Sequence, residues 1–210
     1  MKITPNDPQT SVDRTGGLKL PSPWVILACL VLFGFGETAG AALGGLPKPI
    51  MDVARAQAVT RPEVHGLSGV PDIDRAIIEG VQTEVLARVH TFHLHGHGLA
   101  IVVFLLTFIV TNTGFTPRVK TLLTTLTCLG LLYPFGWLTM ALAVPVAGKA
   151  EAFRIAERWF FIPFGGAFLV GVWFIVLAYT VHCLRRNEKP AQPVLEGGET
   201  QPFEKPNKTP

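Results

Sequence analysis

The chain has 210 residues, of which 49% are hydrophobic and only 16% charged, with a net charge of +3. Soluble domains carry about 25% charged residues, and the mean hydropathy here is +0.39, so an ordinary water-soluble domain is excluded. Three cysteines, all in apolar runs, exclude a disulfide scaffold, and the small, scattered basic excess argues against nucleic acid as a partner.

Taken in chain order, residues 1–23 are polar and expected to be a disordered tail. The first apolar stretch, 24–45, contains Glu37 and then a small-residue run with Gly36, Gly40 and Gly44 at four-residue spacing. That spacing lets a helix or a flat cofactor approach the backbone closely. Ala39-Gly40-Ala41 would suit a signal-peptide cleavage site, but the long polar lead and Glu37 favour an uncleaved span. A connection over 46–90 follows. Its second half starts at Pro71 and repeats Ile73, Ile77, Val81, Val85 and Val89 with charged residues between them, which predicts an amphipathic helix over 72–90 on the exterior surface. It is expected to turn there into the second span. Three further apolar stretches follow at 91–111, 121–146 and 159–184.

Each stretch has 21 to 26 residues. At 1.5 Å per residue that covers a hydrocarbon core of about 30 Å. Backbone groups in lipid must be satisfied internally, so these are helices. The expected fold is therefore all-α: a polytopic membrane protein with four transmembrane helices in a bundle, residues 24–184, and a second disordered tail at 185–210. Arg14, Lys19, Arg118, Lys120, Arg185, Arg186 and Lys189 fall on one side of such a topology. This bias places both termini in the cytoplasm and the protein in the inner (plasma) membrane, with the lipid bilayer as its first partner.

The chemistry-bearing segment is His90-Thr-Phe-His93-Leu-His95-Gly-His97-Gly at the outer end of the second span. On a helix His90, His93 and His97 share a face and His95 points away. His93 and His97 have the i, i+4 spacing that lets two imidazoles reach one metal. Counted from the span ends, His97, Glu37 and Met140 all lie about 9 to 12 Å inside the outer boundary. Arg154 and Arg158 sit just above. Of all the formally charged side chains, only Glu37 falls inside an apolar stretch, and ionisable residues at membrane depth mark function.

Three chemistries fit these residues. One is a b-type haem, with His93 or His97 as axial ligand, Met140 as a further candidate, and Arg154 or Arg158 near the propionates. Another is a non-haem Zn, Fe or Cu centre on His90, His93, His97 and Glu37. The last is a quinone site in which a histidine and a buried Glu37 accept protons. The histidine cluster followed by glycines, in a four-span layout with a long first loop, resembles one half of haem A synthase and similar haem-binding membrane bundles. The resemblance covers residues 24–184 in layout and implies a haem near the outer face. A second histidine at the start of the fourth span, which that pattern implies, is replaced by Glu157-Arg158-Trp159. The functional expectation is a redox or electron-transfer subunit of a membrane respiratory complex. The alternative is an accessory or assembly subunit whose histidines only hydrogen-bond to water and headgroups. A transporter is disfavoured, since there is no inverted repeat.

Overall fold

The structure is a computed structural model and describes residues 17–187, with side chains described through residue 184. Most of the two expected tails lies outside these residues. All regular structure among the described residues is helical. The helices are α1 (Pro23–Gly45), α2 (Pro47–Val59), α3 (Pro62–His65), α4 (Pro71–Asn112), α5 (Pro117–Leu129), α6 (Phe135–Ala156) and α7 (Gly166–Asn187). One turn of 3-10 helix, Gly130–Leu132, joins α5 to α6, and a π-helical stretch, Glu157–Gly165, joins α6 to α7. Five of the α-helices open with proline in the first turn, where the missing N–H costs nothing and φ is already helical.

Among the described residues, three helical stretches are long and apolar enough to cross a membrane: Pro23–Gly45, Pro71–Asn112 and Pro117–Leu184. The last spans 68 residues, but it is not straight. Gly148 has φ 77° and ψ 163°, a conformation outside the helix that glycine adopts freely, and the chain reverses there. The two arms pack antiparallel. Gly136 faces Phe160 and Phe161, Gly165 faces Tyr133, Gly130 faces Phe168, and Gly171 faces Leu126 and Thr127.

The first arm stays in register with α4 beyond that helix's apolar half. Phe135 meets Phe92, and further out Ala141 and Val144 pack with Val81 and Val85. Residues 138–147, apolar as they are, thus run alongside the amphipathic part of α4. Ala54 and Ala58 of α2 and Ala152 beyond the reversal close this outer core. A middle core joins Leu32 and Cys29 to Ala100, Val103 and Leu131, and an inner one joins Val110, Leu123 and Ile175.

Two local expectations give way. The amphipathic segment does not turn into the second span; it is continuous with it in one helix of 42 residues, about 63 Å long. The first half of the 46–90 connection is also helical, because Ile50, Ala54 and Ala58 give α2 an apolar face against α4 and α6. A broad belt of exposed apolar side chains, including Leu30, Val31, Ile101, Leu105, Leu169 and Trp173, surrounds the apolar stretches. It far exceeds what a water-soluble monomer leaves bare.

Candidate functional site

The site lies where α1 and α4 cross. Gly36 and Gly96 bring the two backbones together: a Cβ on Gly96 would stand 3.2 Å from Gly36 Cα. At the crossing and one turn along, the glycines of α1 make room for imidazoles. A Cβ on Gly40 would lie 2.6 Å from His93 Nδ1, and one on Gly36 would lie 3.1 Å from His97 Cδ2. Gly44, third in the series, faces open space.

His93 Nδ1 is 2.8 Å from the Gly36 carbonyl oxygen. A carbonyl only accepts, so Nδ1 carries the proton and the ring is fixed across the helix crossing. His97 packs edge-on against His93, with ring centres 4.3 Å apart, and beneath Phe33 at 4.8 Å. Its Nε2 is 3.0 Å from Glu37 Oε1. The approach is too oblique for an aligned hydrogen bond, and this buried nitrogen has no other partner. Glu37 is not the buried carboxylate expected: its side chain is 59% exposed, on the outer side of α1.

The other candidates disperse. His95 faces away from α1, donates from Nδ1 to the Thr91 carbonyl at 3.0 Å, and packs against Tyr133 and Trp137 of the hairpin. His90 is exposed, its ring 6.3 Å from that of His93. Met140 is fully buried, but beside Ala141, at the level of Val85. That is twelve residues from His97, about 18 Å along α4. The expectation of equal depth assumed a span ending at Val146, whereas Ala141 and Val144 already pack in the outer core with Val81 and Val85. Arg154 pairs with Glu151, and Arg158 lies over Trp159. Both sit further along the outer hairpin than Phe161, whose ring meets Tyr133 and Trp137.

Among the described residues no group of three or more His, Cys, Asp or Glu side chains is placed to hold a metal ion, and His90 does not join His93, His97 and Glu37. The space above Gly36 and Gly40 is filled by the imidazoles of His97 and His93. His65, a further histidine, donates from Nε2 to the Pro145 carbonyl at 2.8 Å. It caps a carbonyl left free by the reversal at Gly148. Sequence reasoning missed Phe33, which has no signal apart from its four-residue distance from Glu37. It also missed Trp137, over which the Arg88 guanidinium sits at 5.3 Å.

No protein-family model matches the chain, and no curated protein or solved structure matches it.

Proposed function

We propose that the chain is a four-pass membrane subunit of a redox complex, in which Glu37 and His97 exchange protons near the outer face. The reversal at Gly148 supports counting the long third stretch as two crossings. In register with α1 and the apolar half of α4, these are residues 117–137 and 162–184. An even number of crossings puts both termini on one side, the cytoplasmic side by the positive-inside bias, in an inner (plasma) membrane.

The observation that carries the reading is the 3.0 Å contact between the only formal charge of the apolar stretches and a histidine of the neighbouring helix. Ionisable groups in lipid are costly and persist for function. A pair that changes charge by one on taking a proton suits proton uptake coupled to electron transfer. A subunit with accessory duties alone is the second reading, favoured by the open face of α1, where Gly34, Glu37, Ala41 and Gly44 line up exposed.

Removing the protein from its native membranes should lower quinol-dependent electron flow. Restoring it as Glu37→Gln should recover assembly of the complex but not the flow. Undiminished flow without the protein would overturn the redox reading, and full recovery by Glu37→Gln would reduce it to the accessory one.

A further inference from the structure

An apolar groove of about 240 Å³ runs along the lipid-facing seam of α1 and α4. Ile26, Leu30 and Phe33 form one wall; Ala100, Ile101 and Phe104 form the other. It extends roughly 10 Å along α1 from Ile26 to Phe33. Its outer end abuts the acid–base pair, since Phe33 belongs to the groove wall and also packs on the His97 ring. The groove is thus a slot for something long and apolar; one turn beyond Phe33 stands the exposed Glu37 carboxylate, with the buried His97 Nε2 behind it.

We infer that this slot binds a lipid-soluble quinone: the prenyl tail lies in the groove and the ring sits at Phe33, within reach of Glu37. This rests on the proton-exchange reading of Glu37 and His97 and names the molecule that uses it. Three features select this ligand class. The polar end lies about 12 Å inside the outer boundary, counting eight residues from Gly45. A phospholipid headgroup does not reach that depth, whereas a small uncharged ring does. The polar end is a proton-exchanging pair, which a hydroquinone hydroxyl can donate to and a quinone carbonyl can accept from, while an acyl chain uses neither. The wall next to it is an aromatic ring, suited to stacking on a flat head. Glu37 is the group that touches the ligand; His97 lies behind it and orients it. A membrane helix of another subunit would fill an apolar seam too, but it would not require a hydrogen-bonding end at that position.

The test is binding of decylubiquinone to the full-length protein in lipid nanodiscs, followed by the shift of its carbonyl infrared bands and by titration. Saturable one-to-one binding is expected. Glu37→Gln should weaken the hydroquinone by about tenfold, the loss of one charge-assisted hydrogen bond. Ile101→Trp, at a position 51% exposed and therefore tolerant, should block the groove and abolish binding while the proton uptake of Glu37 and His97 persists. Absence of saturable binding alongside intact proton uptake overturns the quinone proposal and leaves the acid–base pair standing. Loss of proton uptake in the unmodified protein overturns the reading beneath it. Binding unaffected by Ile101→Trp places the quinone elsewhere and overturns the assignment of the groove. Competition by phosphatidylglycerol at equal potency would show an ordinary lipid slot and likewise overturn it.

Discussion

The glycines of α1 carry more of the site than the histidines' spacing alone reveals. Gly36 and Gly40 are sockets for imidazoles: a Cβ at Gly40 would overlap the His93 ring, and one at Gly36 would press on His97 and the α4 backbone. Gly40→Ala should drive His93 off the Gly36 carbonyl and cost about 1 to 3 kcal/mol through overpacking. Gly44→Ala, with nothing within 4 Å, should leave stability within about 0.5 kcal/mol of the parent. Thermal unfolding of the two variants side by side checks this, and equal losses would mean that the α1–α4 crossing is misplaced. The same contrast shows what the sequence could disclose. The four-residue spacing of Gly36, Gly40 and Gly44 announces a close approach, and the histidine spacing announces a shared face. Nothing in either pattern says that the imidazoles themselves fill the space the glycines open. That depends on the register of α1 against α4, which local sequence does not encode.

At the scale of elements, α4 and the hairpin act as a pair of long rods held together outside the apolar layer. Glu84 of α4 accepts hydrogen bonds from Arg88 and, across the gap, from Lys149 beside the reversal at 3.1 Å. Burial pushes the Glu84 carboxyl up, but Arg88 and Lys149 outweigh it and hold it below the ordinary value of 4.5. A carboxyl held low in the folded state contributes its stability above the ordinary value and loses it as pH falls through the lowered one. Thermal stability should therefore drop on acidification below about pH 4.5 more steeply in the parent than in Glu84→Gln. At neutral pH that variant should be about 0.5 to 1 kcal/mol less stable. Parallel pH profiles would contradict a stabilising role for the Glu84 contacts with Arg88 and Lys149. Hydropathy found the apolar runs of all these rods, and Pro71 marked where α4 begins. It could not separate apolar from immersed. Ala141 and Val144 are apolar because they pack against α2 and α4, so an apolar run read from hydropathy alone makes Met140 look level with His97. The proline openings at Pro47 and Pro62 were the available signal for α2 and α3.

For the whole molecule, α4 is central, with α1 on one side carrying the acid–base pair and the hairpin on the other carrying an aromatic cluster around His95. Four crossings would put the Gly148 reversal and the 46–70 connection on one side of the membrane, and the α4–α5 link on the other. In a variant freed of its three native cysteines, a single cysteine at Ser68 or Lys149 should react with an impermeant maleimide from outside intact cells, and one at Thr113 should react only after lysis. Labelling of Thr113 and Lys149 from the same side would break the hairpin reading. The claim on which the rest depends is that Glu37 and His97 exchange a proton as a unit within the apolar layer. It is tested most directly by pH-difference infrared spectroscopy of the protein in nanodiscs. A carboxyl signal should vanish in Glu37→Gln and shift in His97→Asn. A spectrum unchanged by either substitution would contradict it.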